Sequence, residues 1–104
     1  TVRWAMASWA KTLSNEVAEY GITVNNVLPG FTMTERLKKL INTNAKTQKI
    51  DPVKIEDNYK NIIPSKRFGE PEEVASLVTF LSSKKAGYIN GINIPVDGGY
   101  LSNL

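Results

Sequence analysis

Apolar side chains recur at Val2, Met6, Trp9, Leu13, Val17 and Tyr20, three or four positions apart, with no Gly or Pro between them. That spacing puts them on one face of a helix, so it predicts a helix over residues 1–20 that buries a single stripe. Ala5, Ala7, Ala10 and Ala18 add helix propensity and room for close packing. Gly21 suits the left-handed position that closes a helix. Trp4 lies off the stripe beside Ser8 and Lys11, where it either covers neighbouring core or gives the helix a second surface for a subunit contact.

The period shortens after Gly21. Ile22, Val24, Val27 and Leu28 form a run rich in β-branched residues, stopped by Pro29-Gly30, which predicts a short buried strand. Thr32 and Glu35 then have the spacing of a capping box ahead of the amphipathic run Arg36-Leu37-Lys38-Lys39-Leu40-Ile41. A strand, a sharp turn and a helix start in succession gather hydroxyls and free backbone N–H groups at the carboxyl end of the strand. Open α/β sheets hold their ligands there, and this is the one place where chemistry is expected.

Residues 35–64 are less regular. Leu37, Leu40 and Ile41 predict one short helix, weakened at Asn42-Thr43-Asn44 and followed by a polar link through Lys49. Asp51-Pro52 reads as the cap and first residue of another helix, with Ile55, Tyr59, Ile62 and Ile63 on one face until Pro64 stops it. Two short helices with few apolar contacts to hold them down are expected to act as a mobile cover over a site. The plain alternative is a surface insertion with no role.

Ser65 to Gly69 is a loop, and Glu70-Pro71-Glu72-Glu73 opens a helix whose buried face is expected at Val74, Leu77, Val78 and Leu81. Glu72 and Glu73 point in different directions and already suit the positive end of the helix dipole, so they are not read as a catalytic pair. Asn90-Gly91 is a turn, and Ile92 to Val96 is an alternating strand. Pro95 has no N–H, which places that strand at a sheet edge or ends it there. Asp97-Gly98-Gly99 turns the chain away, and Tyr100-Leu101 is an apolar tail. Helix, strand, two cover helices, helix, strand implies a parallel, right-handed βαβ unit. Two parallel strands need more neighbours than this, so further polypeptide is expected to complete the sheet.

With 104 residues the chain is one domain at most. It contains no Cys and no His. That excludes a disulfide framework, a thiolate nucleophile and the commonest general base and metal ligand, so no metal site is expected. No apolar run approaches the length of a membrane span, and no membrane partner is expected. The formal charge of +3 comes from cations spread along the chain and interleaved with acids, so no nucleic-acid partner is expected either.

Three stretches, 21–30 (Gly-Ile-Thr-Val-Asn-Asn-Val-Leu-Pro-Gly), 67–75 (Arg-Phe-Gly-Glu-Pro-Glu-Glu-Val-Ala) and 90–99 (Asn-Gly-Ile-Asn-Ile-Pro-Val-Asp-Gly-Gly), follow one another in an order and spacing that resembles the short-chain dehydrogenase/reductase family, particularly its 3-oxoacyl-acyl-carrier-protein-reductase-like members. The resemblance runs through essentially the whole chain. It implies an α/β fold, the C-terminal part of a Rossmann-like doubly wound parallel sheet, with residues 1–104 as one segment of a single domain and 35–64 as its substrate-loop lid. It implies an enzyme that transfers hydride between NAD or NADP and a carbonyl or alcohol substrate, a 3-oxoacyl thioester among the candidates. The family's glycine-rich phosphate turn and its catalytic Asn, Ser and Tyr have no counterpart in these residues, so the chain alone is expected to be inactive and to need the N-terminal part of the same polypeptide.

By that resemblance Arg3 occupies the slot of the family's Lys, which holds the nicotinamide ribose and lowers the Tyr pKa. Arginine keeps the charge, but its planar fork is no copy of an ammonium, and an exposed helix residue is the equal alternative. Pro29, Gly30, Phe31, Thr32 and Thr34 would form the nicotinamide side of the cofactor site. The Phe31 and Thr32 backbone groups would meet the carboxamide, and the Thr34 hydroxyl would donate to carboxamide or pyrophosphate. Met33, Leu37 and Leu40 would touch substrate. A homo-oligomer, dimer or tetramer, and a cytoplasmic location go with the family. A non-catalytic assembly role, in which the first helix and last strand make oligomer contacts, is the alternative from a different class.

Overall fold

A computed structural model describes residues 2–101, with side chains from Trp4 onward. The chain forms α1 (Val2–Val17) with a 3-10 turn at Ala18–Tyr20, β1 (Asn26–Pro29), α2 (Glu35–Gln48), α3 (Pro52–Ile62), α4 (Pro71–Leu81), a second 3-10 turn at Lys84–Ala86, and β2 (Asn93–Val96). The expected order of helix, strand, two helices, helix and strand holds. β1 and β2 are neighbours in one sheet. Asn26 donates to the Ile92 carbonyl and Gly30 to the Val96 carbonyl, each at 2.9 Å. Residue numbers advance together across the pair, so the strands run parallel. The chain divides into two compact units, Thr1–Leu28 with Ala75–Ile94 and Pro29–Val74 with Pro95–Leu104.

In the first unit α1 ends as expected, with Gly21 at φ 76° and its N–H on the Ala18 carbonyl. The stripe is a correction. Met6 and Trp9 are 57% and 60% exposed, and the buried positions are Ala10 and Ser14. A helix buries whichever face meets a neighbour, and here the neighbour is a tight corner. A Cβ on Gly91, whose φ is 75°, would lie 2.7 Å from Lys11 Nζ and 2.9 Å from Ser14 Oγ. Small side chains fit against that corner, and of the described stripe residues Leu13 and Val17 are half-buried while Met6, Trp9 and Tyr20 stay exposed.

β1 starts later than the apolar run, with Asn26, Val27 and Leu28 half-buried and Pro29 exposed. The reason is side-chain pairing just ahead of it. Val24 N–H donates to Asn90 Oδ1 at 2.9 Å, Asn25 Nδ2 to the Ile89 carbonyl at 3.1 Å, and Ile92 N–H to Asn25 Oδ1 at 3.2 Å. Asparagine amides thus take the place of ladder bonds, and the regular strand waits until Asn26. Helix α4 is also more open than expected: Val74, Leu77 and Leu81 are half-buried and Val78 is exposed.

The second unit carries the main core. Leu37, Ile41, Ala45, Ile55, Ile63 and Phe68 are buried together, with Phe31, Met33, Ile50 and Tyr59 packed on them. Helix α2 therefore runs unbroken through Asn42-Thr43-Asn44, since Ala45 is buried and Asn44 Nδ2 donates to the Tyr59 hydroxyl at 2.7 Å. α3 begins at Pro52 with Asp51 as its cap, Oδ1 accepting from Val53 N–H at 2.9 Å. Its inward residues are Ile55 and Tyr59; Ile62 is exposed, and Ile63 is buried beyond the helix end. The premise that few apolar contacts hold these helices down is overturned, because they contribute most of the buried side chains of the unit.

Candidate functional site

The segment from Pro29 to Thr34 follows the carboxyl end of β1. Gly30 is required there by a close approach. A Cβ would sit 2.6 Å from Asp97 Cβ and 2.8 Å from its Cα, with the Gly30 N–H on the Val96 carbonyl. The Gly30 carbonyl accepts from Thr32 Oγ1 at 3.1 Å, so that hydroxyl is spent on the backbone.

Thr32 is the centre of an isolated parallel bridge with Gly69. Gly69 N–H donates to the Phe31 carbonyl at 2.9 Å, and Met33 N–H donates to the Gly69 carbonyl at 2.8 Å. Each peptide plane beside Thr32 is thus fixed at one end. In a trans peptide the C=O and N–H point opposite ways, so the Thr32 N–H and C=O both face away from Gly69. Neither has a hydrogen-bond partner among the described residues. The result is one donor and one acceptor side by side on a fixed backbone, the complement of a primary carboxamide.

The helix start is corrected by two residues. The cap of α2 is Thr34, not Thr32, and Thr34 Oγ1 accepts from Leu37 N–H at 3.3 Å. As an acceptor in that bond, the hydroxyl keeps its own proton to donate. The N–H groups of Glu35 and Arg36, in the first turn, point the same way as in any helix start and favour negative charge.

Of the residues expected to touch substrate, Leu37 is taken up by the core at 7% exposure, whereas Leu40 is 45% exposed and Met33 packs partly buried beside the core. The side chain of Arg3 lies outside the described residues.

One feature near the bridge was not expected. Arg67 holds Glu73 with two bonds, Nη1 to Oε1 at 2.7 Å and Nη2 to Oε2 at 3.0 Å, and the same Oε1 accepts from Glu70 N–H at 3.0 Å. The Arg67 hydrogen bond first, and the Glu70 N–H second, hold the Glu73 carboxyl down at about 2. The spacing Glu70 to Glu73 could have signalled this, because a glutamate three residues into a helix reaches back to the cap N–H. A recess of about 40 Å³ beside Arg67, Gly69, Glu73 and Asp97 has room for little more than a water, so it is no dinucleotide bay.

Parallel strands joined by helical crossovers are the pattern of a doubly wound α/β protein. A family model described as enoyl-(acyl carrier protein) reductase matches residues 1–101. The chain is 37% identical over 100 residues to the NADPH-dependent reductase BacG of Bacillus subtilis, covering 96% of this chain and 39% of that protein. It is 48% identical over 89 residues to the 3-oxoacyl-[acyl-carrier-protein] reductase FabG of Buchnera aphidicola, covering 86% and 32%. A short chain dehydrogenase family protein from Francisella tularensis superposes with a TM-score of 0.90 at 35% identity, covering 95% of this chain and 41% of the other. The chain belongs to the short-chain dehydrogenase/reductase family, and its elements are part of that family's Rossmann-like parallel sheet. It spans well under half the length of these relatives.

Proposed function

We propose that the protein is an NAD(P)-dependent oxidoreductase that moves hydride between nicotinamide and a carbonyl or alcohol, with 3-oxoacyl thioesters as the substrate class. Residues 1–104 would be the C-terminal segment of one Rossmann-like domain, completed by further polypeptide. The observation that carries the reading is the unpaired N–H and C=O of Thr32, held by Gly69 beside the capping hydroxyl of Thr34. The relatives support the chemistry, one being an NADPH-dependent reductase and another a 3-oxoacyl-[acyl-carrier-protein] reductase.

The nicotinamide, when bound, supplies the hydride donor or acceptor. Thr32 N–H would donate to the carboxamide oxygen and Thr32 C=O would accept from its amide, which fixes the rotation of the ring and the face it offers. Thr34 would donate its proton to the carboxamide or the pyrophosphate, and Pro29, Gly30 and the Phe31 backbone would form the wall. α2 and α3 would cover the substrate and keep out water, with Met33 and Leu40 as contacts. Arg3 would keep a positive charge in the slot of the family's lysine.

The test is NADPH oxidation by the full-length protein with an acetoacetyl thioester, expected to proceed. Absence of both turnover and NAD(P) binding would refute the reading. The exposed Trp4, Met6 and Trp9 on α1 favour a further role in assembly, as a homodimer or homotetramer in the cytoplasm. Light scattering that gave a monomer of the full-length protein would exclude it.

A further inference from the structure

We infer that Phe31 is a positioning residue through which the α2 and α3 pair sets the backbone at Thr32, with Tyr59 as the contact that transmits it. The inference rests on the cofactor reading above and extends it to side chains that touch no cofactor.

Three segments meet on the Phe31 ring. Tyr59 of α3 stacks on it at 5.3 Å with planes 19° apart. Tyr100, just after the Asp97 turn, meets it edge-on at 5.6 Å. Phe68 lies tilted at 6.4 Å. Phe68 precedes Gly69, and Phe31 precedes Thr32, so both sides of the isolated bridge are anchored by rings that touch each other. Tyr59 is itself held, since its hydroxyl accepts from Asn44 of α2 at 2.7 Å. A chain of contacts thus runs from α2 through Asn44 and Tyr59 to Phe31, and from there into the peptide that carries the Thr32 N–H.

The bridge to Gly69 fixes the direction of the Thr32 groups and the Gly30 N–H on the Val96 carbonyl anchors the segment before them, which leaves Phe31, between the two anchors, some freedom to tilt. The stacked ring removes that freedom. Offset aromatic pairs have a preferred geometry, so a shift of α3 carries Phe31 with it and changes the aim of the Thr32 N–H and C=O. Simple filling of the core would require bulk at Phe31 and Tyr59; it would make no distinction between the two ends of a bound dinucleotide.

That distinction is the test. In the full-length protein, Phe31→Leu, Tyr59→Leu and Tyr59→Phe are compared by titration with two probes. One is NAD or NADP; the other is the matching ADP-ribose or its 2′-phosphate, which lacks nicotinamide. The Leu variants should weaken the dinucleotide roughly tenfold, the scale of one aromatic contact, and leave the nicotinamide-free probe within about twofold. Tyr59→Phe keeps the stacked ring but loses the hydroxyl that accepts from Asn44, so it should lose less than the Leu variants, and on the dinucleotide alone. Equal losses on both probes, or no loss on either, would overturn the inference. If the unaltered protein binds the dinucleotide no better than the truncated probe, the cofactor reading itself fails, and this inference with it. Should Phe31→Leu not fold, Tyr59→Leu decides the matter, with thermal melting as the check on its integrity.

Discussion

Arg67 and Glu73 meet fork to fork, and the carboxylate that receives the guanidinium also caps the Glu70 N–H. One side chain therefore fastens the loop that carries Phe68 and Gly69 to the first turn of α4. The pair is more than two-fifths exposed on both sides, so its geometry matters more than its energy.

The Glu73 carboxyl, at about 2 against an ordinary 4.5, makes a prediction with a definite sign. A group whose pKa falls on folding stabilises the folded state above its unfolded value and loses that contribution as pH drops through the folded value. Thermal melting of the parent and of Glu73→Gln should differ by a constant amount above pH 5, with the parent more stable. The gap should narrow between pH 4.5 and 2. A gap that stays constant down to pH 2 would mean that the charge on Glu73 is irrelevant to stability. Added salt should narrow it at neutral pH as well, because exposed charges are screened.

Gly30 should not tolerate a side chain. The methyl of Gly30→Ala would overlap the Asp97 Cβ, so either β1 or the Asp97 turn must move. A destabilisation of about 1–3 kcal/mol is expected from such crowding. Denaturant unfolding measures it. Because Asp97 also accepts from Gly99 N–H at 3.0 Å and from Leu101 N–H at 2.9 Å, the damage should reach the tail that places Tyr100.

Leu37 and Leu40 separate core from cover. Leu37→Ala opens a hole in the centre of the α2 and α3 core and should cost about 2–5 kcal/mol. Leu40→Ala removes an exposed side chain and should stay within about 0.5 kcal/mol of the parent. Under the proposed function, Leu40→Ala should instead raise KM for an acetoacetyl thioester and leave KM for NADPH unchanged. An unchanged KM for the thioester would remove Leu40 from the substrate surface.

Much of this was legible in local sequence because local chemistry decides it. Asp51-Pro52, Glu70-Pro71 and Gly21 end or begin elements through their own backbone preferences in the structure, and Gly91 turns the chain at φ 75° two residues before β2. What failed was non-local. The start of β1 depends on asparagine hydrogen bonds that join residues 64 to 67 positions apart. The continuity of α2 through Asn44 depends on Tyr59 accepting its amide. Which face of α1 is buried depends on the corner at Gly91, which no periodicity reveals. At the candidate site, the segment and the hydroxyl of Thr34 could be read from the chain, whereas the free N–H and C=O of Thr32 exist only because Gly69 pairs with the residues on either side.

Thr34 combines two jobs that can be measured apart. As the cap of α2 it satisfies the Leu37 N–H, and Thr34→Ala should cost about 0.5–2 kcal/mol in denaturant unfolding. As a donor to the cofactor it should also contribute to NAD(P) affinity. Thr34→Ser keeps the hydroxyl for both purposes and should restore stability and affinity together, whereas Thr34→Asp keeps a cap acceptor but puts a negative charge and no proton where the carboxamide or pyrophosphate would lie. The expected pattern is that Thr34→Asp melts close to the parent and binds NADP more weakly than Thr34→Ala does, because it adds repulsion to the lost hydrogen bond. If stability and NADP affinity instead rise and fall together across all three variants, the hydroxyl acts through the helix alone and the cofactor contact is lost from the site.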